Sequence, residues 1–123
     1  MRITLIGAGA WGTALAIAFA GKHEVRLWSR EKDVAVDLQN TRENLRFFPG
    51  YKLPESVEVF TDFAEAVAHA ELLVVATPIA GLRPTAEQLK LLGSKCPLIW
   101  VCKGFEAGTG KLPHEVVAEV LGA

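Results

Sequence analysis

The chain has 123 residues, 50% of them hydrophobic, enough for one domain with a substantial core. A formal net charge of −1 offers no bulk attraction for nucleic acid or a membrane surface. No apolar run reaches the roughly 18 residues of a membrane span, and Met1-Arg2 leads straight into Ile3-Thr4-Leu5-Ile6 with no basic region or cleavage site, so a cytoplasmic protein without a signal peptide is expected.

Residues 3–6 form an apolar run suited to a strand covered on both faces. Gly7-Ala8-Gly9-Ala10-Trp11-Gly12 follows at once and reads G-x-G-x-x-G. Residues 11–20 are apolar nearly all round and predict a buried helix, with Ala14, Ala16, Ala18 and Ala20 allowing close approach to a sheet. A second buried strand covers 25–28. A polar helix over 31–40 has Val34, Ala35 and Leu38 on one face. Residues 44–55 carry Pro49, Gly50 and Pro54 and read as a loop beside the sheet. A weaker strand, 57–60, precedes Asp62, which caps a short helix with Glu65 three residues on. A strand over 72–76 is followed by a helical face of Leu82, Thr85, Ala86 and Leu89, with Pro84 tolerated in the first turn. A strand over 98–102 ends at Cys102, read as a buried reduced thiol; Cys96 and Cys102 make no metal spacing, and no metal site is expected. Three glycines mark 104–110 as a second loop, and Leu112, Val116, Val117, Val120 and Leu121 form the last helical stripe. This alternation predicts an α/β fold, Rossmann-type and doubly wound, with a mostly parallel sheet and helices on both faces, filling 1–123 as one nucleotide-binding domain.

The glycine turn is informative because a strand enters it and a helix leaves it. Gly7 makes the tight turn, Gly9 lets a pyrophosphate approach the backbone, and Gly12 lets helix and strand pack closely. Free N–H groups at the helix start then face the phosphates. An NAD site usually carries an acid about 20 residues on, at the end of the second strand. Here that strand ends Leu27-Trp28-Ser29-Arg30, and Glu31 stands one step further. Ser29 and Arg30 suit a 2′-phosphate, since guanidinium pairs strongly with phosphate oxygens. NADPH is therefore favoured, with NADH possible. Thr77 and Pro78 close the fourth strand at the same edge, and Pro78 would wall the nicotinamide side. Lys103 follows the fifth strand and directs a cation into the crevice or to solvent. His23, His69 and His114 lack partners at a recognisable spacing and read as surface or satisfied residues.

Several segments together resemble the bacterial NAD(P)-dependent glycerol-3-phosphate dehydrogenases. They are residues 6–16, 25–30 and 40–44, then Phe47-Phe48-Pro49-Gly50, Val75-Ala76-Thr77-Pro78, and Cys102-Lys103-Gly104-Phe105-Glu106 with Gly108-Thr109-Gly110. The resemblance implies that Ala10 and Trp11 contact the cofactor and that Arg30 meets the adenosine phosphate. It places Phe47 near the cofactor, where the family usually has Tyr, and has Lys103 contact both cofactor and glycerol phosphate. The implied reaction is reversible reduction of dihydroxyacetone phosphate to sn-glycerol 3-phosphate, which feeds glycerophospholipid synthesis. It also implies a second, helical domain that carries the general acid-base lysine, so no catalytic residue is expected in this chain. Other readings are a ketopantoate- or hydroxyacid-type two-domain reductase, or a nucleotide-sensing module without catalysis. Self-association is possible, with the last helix as a candidate surface.

Overall fold

A computed structural model describes residues 1–122. Strand β1 (Arg2–Ile6) runs through the middle of a five-stranded sheet. Its Ile3, Leu5 and Ile6 are fully or almost fully buried, and Thr4 is buried too, its hydroxyl donating to the Ala66 carbonyl at 2.6 Å. A mainly apolar strand whose one buried hydroxyl is hydrogen-bonded is what a sheet covered on both faces requires. Helix α1 (Ala10–Phe19) leads to β2 (Glu24–Trp28), and α2 (Lys32–Thr41) leads away from it. Strands β3 (Glu43–Asn44) and β4 (Phe48–Lys52) then precede β5 (Glu58–Phe60). Helix α3 (Phe63–Val67) leads to β6 (Leu72–Val75), and α4 (Leu82–Leu91) to β7 (Leu98–Trp100); α5 (Pro113–Leu121) is last.

The large sheet has the order β5-β2-β1-β6-β7, and all its pairings are parallel. The chain moves outward from β1 to β2 and β5, then returns to the other side of β1 for β6 and β7. The order reverses at β1, and the carboxyl ends of β1 and β6 flank that switch point. Alternate side chains feed two cores. Ile3, Leu5, Val25 and Leu27 join Ala16, Val34, Ala35 and Leu38 on the α1–α2 face. Ile6, Leu73 and Val75 join Ala66, Leu82, Leu89, Val116 and Val117 on the α3–α4–α5 face. The Rossmann-type architecture expected from the alternating pattern is therefore present.

Four local expectations need correction. Helix α1 is not buried all round: Gly12, Thr13 and Ala16 are buried, whereas Trp11 is 63% exposed. An apolar helix on the outer face of a sheet buries only the stripe that meets the sheet. The loop expected over 44–55 contains instead an antiparallel pair, β3 with β4. Pro49 and Gly50 are tolerated because a two-stranded ribbon has free edges. Arg42, which ends α2 with φ 63°, fastens this hairpin by donating to the Pro54 and Val57 carbonyls at 2.7 and 2.6 Å. Strand β7 is an edge strand, not a buried one: Leu98, Trp100 and Cys102 pack on the α4–α5 side, while Ile99 is 50% exposed on the other face. Finally, the stripe of α5 is no free surface, because Val116, Val117 and Val120 are buried and α5 packs on α4. Among the described residues no helix is long and apolar enough to cross a membrane.

Candidate functional site

The three glycines of the turn are required for different reasons. Gly7 follows β1 with φ 114°, a conformation that L side chains rarely adopt, and a Cβ there would lie 2.9 Å from the Ala76 carbonyl carbon. Its N–H donates to the Trp28 carbonyl at 2.8 Å, which locks the turn to the end of β2. A Cβ on Gly12 would fall 1.8 Å from the Gly7 carbonyl oxygen, so Gly12 is what lets α1 lie against its own turn. Gly9 is the contrast. Its φ is −76°, and a Cβ there would meet nothing within 4 Å. Neither backbone strain nor protein packing asks for glycine at this position, whereas a ligand approaching the backbone would.

Helix α1 begins at this open position. Its first turn has neither a capping side chain nor an acid. Among the described residues, the Gly9 N–H also has no protein acceptor. Orphan donors and the positive end of the helix dipole therefore meet at one exposed place, which suits a phosphate. Ala10 and Trp11 form the exposed rim of that place.

The end of β2 carries the charges. Ser29 is buried, and its Oγ accepts the Glu31 N–H at 3.2 Å, so it shapes the entry to α2 as well as standing at the crevice. Arg30 is exposed and makes no ion pair among the described residues. Glu31 is engaged by Arg46 at 2.7 Å, and the Arg46 guanidinium lies 5.0 Å from the centre of the Phe47 ring. The acid nearest this strand end is thus paired with a neighbour from the hairpin.

The hairpin is joined to the turn by Asn44, which is 2% exposed. Its Nδ2 donates to the Ala8 carbonyl at 2.7 Å and to Thr13 Oγ1 at 2.8 Å, and its Oδ1 accepts the Phe47 N–H at 3.1 Å. Sequence reasoning did not single out Asn44, because nothing in the spacing of 8, 13 and 44 reveals their contact.

On the other side of the switch point, Thr77 follows β6. Its side chain fills the space beside Gly81, where a Cβ would come within 2.8 Å of it. Its Oγ1 lies 3.9 Å from the Cys102 Sγ, which places Cys102 and the following Lys103 at the same sheet edge. Burial pushes the half-buried Cys102 thiol above its ordinary pKa, so it stays protonated near neutrality. Pro78 is exposed and starts the short turn over Ile79–Gly81. Lys103 is exposed and has no ion pair among the described residues.

The glycine-rich segment after Lys103 is held by a charge network. Arg83 of α4 grips the Glu106 carboxylate with two bonds, Nε to Oε2 at 2.7 Å and Nη2 to Oε1 at 3.0 Å. Thr109 Oγ1 donates to the same carboxylate at 2.6 Å, while Glu119 of α5 accepts from both Arg83 and Lys111. The Arg83 guanidinium and the Thr109 hydroxyl hold Glu106 down to a pKa of about 2. A depressed carboxylate stabilises the fold above its unfolded pKa of about 4.3 and loses that contribution as pH falls through about 2. Between those values Glu106→Gln is expected to show a shallower fall in unfolding midpoint than the unsubstituted chain. Parallel slopes in thermal melts would contradict this.

The chain is similar to known proteins along almost its whole length. Residues 2–123 match the profile described as the NAD-dependent glycerol-3-phosphate dehydrogenase N-terminus. A curated glycerol-3-phosphate dehydrogenase [NAD(P)+] of Dechloromonas aromatica is 78% identical over 122 residues, covering 99% of this chain and 37% of its own length. Its counterpart from Aromatoleum aromaticum is 54% identical over the same share of each chain. The crystal structure of a glycerol-3-phosphate dehydrogenase from Coxiella burnetii superposes with a TM-score of 0.91 at 35% identity, over 99% of this chain and 38% of that one. The chain thus spans less than two-fifths of the length of these relatives.

Proposed function

The chain belongs to the NAD-dependent glycerol-3-phosphate dehydrogenase family, and on that premise we propose that it is the cofactor-binding part of an enzyme interconverting dihydroxyacetone phosphate and sn-glycerol 3-phosphate. The observation that carries the reading is the turn itself. Gly9 leaves an open approach to uncapped donors, at the point where the strand order reverses. Family membership sets this reading apart from the ketopantoate-type reductase and from the sensing module.

A bound nicotinamide dinucleotide supplies the hydride. The chain's own residues bind and orient. Gly9 and the first turn of α1 hold the pyrophosphate, with Ala10, Trp11 and Phe47 around it. Arg30 takes the adenosine 2′-phosphate, and Arg46 keeps the Glu31 carboxylate from opposing it, so NADPH is favoured over NADH. Thr77 and Pro78 border the nicotinamide side. Lys103 holds the substrate phosphate beside the cofactor. Charge that grows on the carbonyl oxygen during reduction needs a general acid. Lys103 serves in positioning, and the acid is assigned to residues outside this chain. The setting is cytoplasmic.

Titration of the 123-residue chain, followed by tryptophan fluorescence, is expected to show saturable binding of NADPH and weaker binding of NADH. Saturation by neither would overturn the reading. With dihydroxyacetone phosphate added, the same chain is expected to oxidise no measurable NADPH, and steady turnover would show that the acid lies within it.

A further inference from the structure

Asn44 belongs to the hairpin, yet two of its three bonds reach the glycine turn and the helix that follows. Both of its amide hydrogens and its oxygen are engaged while the side chain is buried, so its orientation is locked. The bond to Ala8 fixes more than a carbonyl. Among the described residues no peptide is cis, so the Ala8 C=O and the Gly9 N–H point in opposite directions across one rigid plane. With the carbonyl drawn onto Asn44, the Gly9 N–H is turned away from the hairpin. There, among the described residues, it meets no acceptor.

We infer that Asn44 is a positioning residue that aims the Gly9 N–H at a phosphate of the bound dinucleotide, which rests on the reading of the turn given above. A free loop would have to fix this plane when the ligand arrives; here a neighbouring element fixes it in advance. Donors set beforehand bind an anion without the cost of ordering them. The bond to the Phe47 N–H uses the other end of the same side chain, so the two roles are separable by substitution.

Asn44→Asp keeps the shape and the acceptor for Phe47, but sets an acceptor against the Ala8 carbonyl. Two probes separate local aiming from general damage: NADPH, and adenosine 2′-monophosphate, which has no 5′-phosphate. The expected result is a Kd for NADPH raised about tenfold or more, with that for adenosine 2′-monophosphate changed by less than about twofold. Equal weakening of both probes, or no weakening of NADPH, would overturn the inference. Thermal melts establish that the variant is folded; should it not be, Asn44→Ala is read by the same ratio of losses. If the unsubstituted chain binds NADPH and the variants bind equally well, only the role of Asn44 fails. If the unsubstituted chain does not bind, the turn itself has been misread and the inference falls with it.

Discussion

Gly9→Ala is expected to leave the fold intact and to remove most dinucleotide binding, whereas Gly12→Ala is expected to damage the fold itself. The difference follows from what each Cβ would meet. At Gly9 the space is open and φ is −76°, so alanine is accommodated without strain. Its stability should stay within about 1 kcal/mol of the unsubstituted chain, with restricted unfolded-state freedom favouring the variant. The new methyl group occupies the approach a pyrophosphate needs, and the Kd for NADPH should rise about tenfold or more. At Gly12 the methyl carbon would stand 1.8 Å from the Gly7 carbonyl oxygen, which is backbone and cannot rotate aside. Helix α1 must lift from the turn, at a cost of about 3 kcal/mol, or roughly 10 °C in unfolding midpoint. Calorimetry and NADPH titration on both variants decide the matter. Gly9→Ala binding as tightly as the unsubstituted chain would remove the phosphate from this turn.

Arg30→Ala is expected to cost NADPH about 10- to 100-fold in affinity and NADH much less. A charge-assisted bond is worth about 1.5–3 kcal/mol, which is that range of fold-change. Arg30 has no protein partner among the described residues, so its removal strands no buried charge and should leave stability unchanged. The loss should also shrink as salt rises, because the arginine is exposed. Equal losses for NADPH and NADH would mean that Arg30 contacts something the two share. Glu31 sharpens the comparison. On the proposed reading, its tie to Arg46 would offset the charge it presents to a 2′-phosphate.

The parts of this molecule that were legible in the sequence are those set by near neighbours. The run from Ile3 to Gly12 is one such part, since a buried strand, a turn with three glycines and a helix start lie within a dozen residues. The Asp62 cap is another, its carboxylate accepting the Glu65 N–H at 2.9 Å as the spacing implied. What was not legible depends on partners far along the chain. Ile99 looks like a core residue until β7 proves to be the edge of the sheet, with helices on only one side of it. Pro49 and Gly50 look like a break, because two residues of β3 are too few to announce a partner strand. Asn44 and Glu106 looked like ordinary polar residues of family-like segments. Their weight comes from Ala8, Thr13 and Arg83, which only the fold brings to them.

The position of β1 also bears on where the chain tolerates loss. Chain ends are usually the segments most safely trimmed. Here the first strand is paired along its length with β2 on one side and β6 on the other. Deleting the first six residues would therefore cut the sheet in two, leaving β5-β2 and β6-β7 with no strand between them. Met1 itself is exposed and lies at the end of β1 remote from the glycine turn, so an extension before it disturbs neither half. The N-terminus of this protein can be lengthened far more safely than it can be shortened.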